Sequence, residues 1–185
     1  QREGNKIAFG SAHRTHYRID RAKVVATFDA ELFGETPAGL RHARDFGTAR
    51  DPDKGDILRL YSVESAYTLT GSSSDHRLPV RSELIKPILL GIEAAISKQD
   101  LKSVGSAIFE DAKVSEFVTA LAGDLSANRG RSVVAVGANQ PADVHAIGAR
   151  INQKLANTQR TVFYTSEADQ GRPSHVEDLK ALVAD

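Results

Sequence analysis

Cysteine, methionine and tryptophan are all absent from the 185 residues of this chain. Without cysteine there is no disulfide, no thiolate nucleophile, no Cys-ligated zinc and no cysteine-held iron–sulfur cluster in this stretch. No apolar run approaches the ~18 residues that a membrane-spanning helix needs. Charge of one sign is lacking too: 24 Lys and Arg balance 24 Asp and Glu. That balance argues against a polyanion binder, nucleic acid included, and against a basic membrane-surface segment. No signal peptide is visible. The sequence opens at Gln1 and closes at Asp185 inside an apparent helix, His175 to Asp185. The expectation is therefore a fragment of a larger chain.

What is present suits a single folded domain. Hydrophobic residues make up 41% and charged residues 26%, the balance of an ordinary globular core with a polar surface. Short apolar runs alternate with helical stretches. Val24 to Phe28 (VVATF), Ile57 to Val63 and Val133 to Val136 (VVAV) are compact and rich in β-branched residues, as buried strands are. Thr161 to Thr165 (TVFYT) reads as the last strand, and Lys6 to Phe9 as a weak one. Helices are expected over Pro37 to Ala49, Ser82 to Lys98, Lys113 to Ala127 and Ala142 to Leu155. Asn128-Arg129-Gly130 supplies a C-terminal stop, while residues 51–56 and 70–75 read as loops. Strands separated by helices of this length imply βαβ crossovers. The expected architecture is a three-layer, Rossmann-like α/β domain over residues 1–185. A mostly parallel sheet carries helices on both faces, behind an irregular N-terminal segment at residues 1–20.

In open parallel sheets, ligands sit beyond the carboxyl ends of the strands. Three strand ends qualify: Asp29-Ala30-Glu31, Glu64-Ser65 and Gly137-Ala138-Asn139-Gln140. Gly137 and Asn139 lie in a turn feeding a helix, a place that can cradle an anion. One glycine is not GxGxxG, however, and Pro141 lacks a backbone donor, so a structural turn is the simpler reading. Asp29 and Glu31 suit a metal or a ribose, yet solvated acids opening a loop are the simpler reading. The six histidines form no HExxH or related motif, and His13 and His16 stand beside Arg14 and Arg18, which weakens cation binding. There is no GxSxG. Arg41, His42 and Arg44 read as a solvated helix face without the aromatic interleaving of a nucleic-acid surface.

The segment Tyr67-Thr68-Leu69-Thr70-Gly71 followed by Asp75-His76-Arg77-Leu78-Pro79-Val80-Arg81 resembles a loop of the molybdopterin oxidoreductase superfamily. Residues 26–34, 41–46, 60–65 and 128–132 are similar to one branch of it, the iron–sulfur/molybdopterin-like large subunit of the alternative complex III type. The similarity spans roughly residues 15 to 185; its motifs are moderately specific together and weak singly. The resemblance implies an electron-transfer subunit of a quinol-oxidising respiratory complex, bacterial, membrane-associated and on the periplasmic side. Its partners would be the remaining domains of the parent chain and other subunits, with no direct membrane insertion of this part. Iron–sulfur clusters are expected in the rest of the parent chain, and no cofactor in this stretch.

Two departures from the family pattern touch the cofactor. Where cofactor-bearing relatives continue from the arginine into Pro-Gly-Thr-Asp, Arg81 here is followed by Ser82-Glu83-Leu84-Ile85. Where their first strand ends in a glycine turn, this chain has Asp29-Ala30-Glu31. Two carboxylates beside a pyrophosphate are unfavourable by ~1 kcal/mol or more per close pair even in water. The leading expectation is therefore a scaffold domain, not catalytic by itself and without bound molybdenum, in which Asp75 and Arg81 are vestiges of a cofactor site. The alternatives are a retained molybdopterin guanine dinucleotide domain, with Asp75 and Arg81 near the cofactor, and an independent nucleotide or sugar-phosphate module built on Gly137 to Gln140.

Overall fold

A computed structural model describes residues 1–185 apart from Glu35, Ala168, Gln170, Arg172, Ser174, Asp185 and the Lys54 side chain. Four strands form a parallel sheet: β2 (Val24–Phe28), β3 (Arg59–Glu64), β4 (His76–Pro79) and β5 (Ser132–Val136), in the order β4-β3-β2-β5. The two central strands bury nearly every residue, which is why they read as continuous apolar runs rather than alternating ones. Alternation survives in which face each side chain serves. Val24, Ala26, Phe28, Tyr61, Val63, Val134 and Val136 pack on one side; Val25, Leu60, Val133 and Ala135 pack on the other.

Three helices cover the first face. They are α4 (Ile85–Ile96), α5 (Ala112–Ala127) and α6 (Ala142–Lys154), contributing Ile88, Leu89, Ile92, Val118, Leu121, Leu125, Ile147 and Ile151. A bidentate ion pair ties α6 to α4: Arg150 donates to both oxygens of Glu93 at 2.6 and 2.5 Å. The other face is covered by α2 (Gly39–Ala49), with Ile19, Leu32, Leu58 and Phe46 in its core. The three-layer α/β architecture is thus as expected.

Several expectations need correction. The N-terminal segment is regular: α1 (Arg2–Phe9) takes in the proposed strand Lys6 to Phe9, and β1 (His13–Tyr17) follows. Gly10 ends α1 in the left-handed region at φ 78°, its N–H donating to the Lys6 carbonyl. TVFYT does form a strand, β6 (Val162–Ser166), but it pairs antiparallel with β1 in a separate two-stranded sheet. It cannot extend the parallel sheet because asparagines already occupy the edge of β5. Asn152 accepts from the Val134 amide at 3.0 Å and donates to the Val134 carbonyl at 2.8 Å, copying a neighbouring strand. Asn157 accepts from the Ser132 hydroxyl at 3.0 Å and donates to Asn152.

The 70–75 loop begins as a short helix, α3 (Leu69–Ser72), capped by the Thr68 hydroxyl. The strand after it, β4, went unread because HRLP has no β-branched residue. Pro87 lies in the first turn of α4, where its missing N–H is one of those that a helix leaves unpaired anyway. On α2, Arg41 and Arg44 are exposed as expected, whereas His42 is buried, and that burial, with Arg41 beside it, holds its pKa below the ordinary value. The last helix is α7 (His175–Ala184); Asp185 lies outside the described residues. None of its residues is buried, and Val176, Leu179, Leu182 and Val183 form an exposed apolar row. Among the described residues no helix is long and apolar enough to cross a membrane.

Candidate functional site

From β2 the chain steps outward through β3 to β4 and then crosses back to β5, on the other side of β2. The direction reverses between β2 and β5, so the crevice where such sheets bind ligands opens beyond Phe28 and Val136. Two elements meet there closely. The Gly137 amide donates to the Phe28 carbonyl at 2.9 Å, and a β-carbon on Gly137 would lie 1.7 Å from the Asp29 carbonyl oxygen. Only glycine allows that approach.

Asp29 occupies the crevice. Its backbone is in the left-handed region at φ 48°, which Asp tolerates better than most residues and which turns the carboxylate back across the strand ends. One carboxylate oxygen accepts from the Ser65 amide at 2.7 Å and the Ser65 hydroxyl at 3.0 Å. The other accepts from the Ser82 hydroxyl at 2.6 Å and the Gln140 side-chain amide at 2.8 Å. Gln140 also donates to the Ser82 hydroxyl at 2.7 Å, and its side chain is largely buried. Ser65 follows β3, Ser82 follows β4 and Gln140 follows β5, so all four strand ends converge on one carboxylate. Two acceptor sites on each oxygen are filled, the full complement of an ionised carboxyl.

Glu31 does not join this group. It turns into its own loop, accepting from the amides of Phe33 at 2.7 Å and Gly34 at 2.9 Å and from the Thr70 hydroxyl at 2.5 Å. Burial works against its charge, but the Thr70 hydroxyl and the surrounding backbone amides outweigh it and hold the carboxyl below its ordinary range. Thr70 in turn accepts from the Leu32 amide at 2.8 Å, fastening the loop after β2 to α3. Glu64, at the end of β3, is buried and satisfied by Arg77 at 2.6 Å and the Thr68 hydroxyl at 2.7 Å.

The other expected residues are dispersed. Asp75 precedes β4 and Arg81 follows it, so the two lie at opposite ends of the sheet, up to ~20 Å apart for six extended residues. Asp75 accepts from Arg50 at 2.6 and 2.8 Å and from the Leu60 amide at 2.8 Å. Burial opposes its ionisation, but the Arg50 bond and the Leu60 amide hold its pKa below the ordinary value. Arg81 is exposed and pairs with Glu83 at 3.0 Å. Gly137 is buried in the close approach to Asp29, whereas Asn139 is exposed and the next residue, Gln140, makes the contact. Sequence reasoning singles out Asp29 and the turn but not Ser82, which it places at the start of a helix; Ser82 opens the 3-10 turn Ser82–Leu84 and its hydroxyl goes to Asp29. Because HRLP carries no strand signal, nothing in the sequence marks Ser82 as a strand-end position.

Among the described residues no group of three or more His, Asp or Glu side chains is placed to hold a metal. The crevice is a site of converging donors already answered by a carboxylate, and further negative charge would be repelled there.

A four-stranded parallel sheet between helical layers, with a switch point at β2 and β5, defines the class: an α/β domain of the doubly wound kind. Acetylene hydratase from Pelobacter acetylenicus has a similar fold over 88% of this chain, with a TM-score of 0.58 and 12% sequence identity. The chain spans 25% of the length of that protein. No family model matches the sequence, and no curated protein matches it. The likeness is one of fold alone.

Proposed function

We propose that this chain is an α/β scaffold domain of a molybdopterin-oxidoreductase-like, iron–sulfur electron-transfer subunit in a quinol-oxidising, membrane-associated respiratory complex. In this reading the switch-point crevice binds no molybdopterin guanine dinucleotide. The observation that carries it is the Asp29 carboxylate, held by donors from Ser65, Ser82 and Gln140 where the pyrophosphate of such a cofactor would have to sit. A pyrophosphate does not fit those residues: its charge would meet the Asp29 carboxylate, and the donors it needs are already engaged.

The fold likeness to acetylene hydratase supports the superfamily part of the proposal. The electron-transfer and quinol-oxidising part is supported by the sequence resemblance over residues 15–185 alone. With no cysteine among the 185 residues, iron–sulfur clusters would be held by other parts of the parent chain. The partners would be those other parts and neighbouring subunits, placed on the periplasmic side as the resemblance implies. The exposed row Val176, Leu179, Leu182 and Val183 on α7 is the surface such a neighbour would cover, and in acetylene hydratase the corresponding fold unit is a quarter of the chain.

The competing reading, a domain that still holds the dinucleotide, is favoured by the same fold likeness. Metal and pterin analysis of the purified parent chain separates the two. The scaffold reading predicts iron without stoichiometric molybdenum, tungsten or pterin. One pterin-bound metal per chain would establish the competing reading.

A further inference from the structure

The donors around Asp29 have a geometry of their own. A backbone amide, two hydroxyls and a side-chain amide converge on two oxygens at 2.6–3.0 Å, from the ends of three different strands. Convergent neutral donors of this kind, at a switch point, are what an oxyanion requires. Here the oxyanion is part of the chain. We propose that Asp29 is the intramolecular occupant of an oxyanion site, and that removing its side chain turns the crevice into a binding site for a phosphate-type anion. The proposal rests on the closed-crevice reading above and goes beyond it by naming what the closed site would take.

Three features make the site a built one. Gln140 is largely buried, and its side-chain nitrogen bonds the Ser82 hydroxyl as well as Asp29, so one anchor remains when the carboxylate is removed. Gly137 brings the backbones of β2 and β5 into contact at its floor. The nearest acid in sequence, Glu31, is engaged by Phe33, Gly34 and Thr70. Position 29 is also well suited to the test. At φ 48° glycine is at ease, so Asp29→Gly deletes the carboxylate without straining the turn.

The experiment titrates inorganic phosphate into the 185-residue chain and its variants, following the Ser65 backbone amide and the Gln140 side-chain amide by NMR. The wild type is expected to show no saturable response. Asp29→Gly is expected to bind phosphate about tenfold or more tightly than the wild type, because charge-assisted bonds replace those lost with Asp29. Asp29→Asn removes the charge but keeps the bulk, and is expected to gain little, which separates a site from a simple loss of repulsion. Adding Gln140→Ala to Asp29→Gly is expected to abolish the gain. Asp29→Ser also removes the carboxylate, with some backbone strain at φ 48°, and serves as a second variant once its fold is verified. Saturable phosphate binding at these groups in the wild type overturns the proposal, as does its absence in folded Asp29→Gly or Asp29→Ser protein. Whether the parent chain carries pterin is decided separately by the metal analysis, so failure of the anion-site proposal in the variants leaves that reading standing.

Discussion

Gly137 and Asp29 meet backbone to backbone: a β-carbon on Gly137 would stand 1.7 Å from the Asp29 carbonyl oxygen. This contact fixes the separation of β2 and β5 at their carboxyl ends and so determines how the crevice beyond them closes. Gly137→Ala would force the strands apart or the turn out of place. The expected cost is about 2–3 kcal/mol, the range of overpacking in a tight interior. Urea denaturation checks it; a change below about 0.5 kcal/mol, the level of ordinary surface substitutions, would mean that the contact is not a constraint.

The placement of Asp75 and Arg81 at opposite ends of β4 predicts different consequences for their loss. Asp75 bridges Arg50 to the Leu60 amide, so Asp75→Asn should destabilise the fold by ~1 kcal/mol. Arg81 is exposed and pairs with exposed Glu83, so Arg81→Ala should fall within ~0.5 kcal/mol of the parent. Thermal or urea unfolding distinguishes them; equal losses would contradict the separation.

His145 on α6 introduces a pH dependence. Its ring donates to the Gly137 carbonyl, its Nε2 is buried with no partner among the described residues, and a β-carbon on Gly4 of α1 would lie 2.3 Å from its own β-carbon. Burial, with a smaller contribution from the Gln1 amino group, lowers its pKa from 6.5 to about 4. The folded state therefore resists protonation that the unfolded state accepts. Stability from this group is complete above pH 6.5 and is lost as pH falls towards about 4, by up to ~3 kcal/mol. Urea titrations at steps across that window should show the decline, and His145→Gln should flatten it. An unchanged slope in the variant would assign the effect to other groups.

Much of the fold was legible because buried parallel strands and long crossover helices carry strong periodic signals. VVATF and VVAV are runs that only a doubly covered sheet can use. HRLP gave no such signal, since β4 is a short edge strand whose place is set by its ladder with β3. TVFYT gave the right element and the wrong partner, because the decision lay with Asn152 and Asn157, whose side chains imitate a strand only once α6 has packed. At the site, topology alone pointed to Asp29 and the Gly137 turn. What the sequence could not display is that Ser65, Ser82 and Gln140, up to 75 positions apart, turn on the same two oxygens. Such convergence depends on strand order, which no local pattern encodes.

The proposed scaffold role requires that the Asp29 carboxylate keep the switch-point crevice closed to pyrophosphate ligands. Its most direct test is a titration of the wild-type chain with guanosine diphosphate, observed at the Ser65 amide and the Gln140 side-chain amide by NMR. Both resonances are expected to stay where they are at millimolar nucleotide. Saturable shifts of the two together would contradict it.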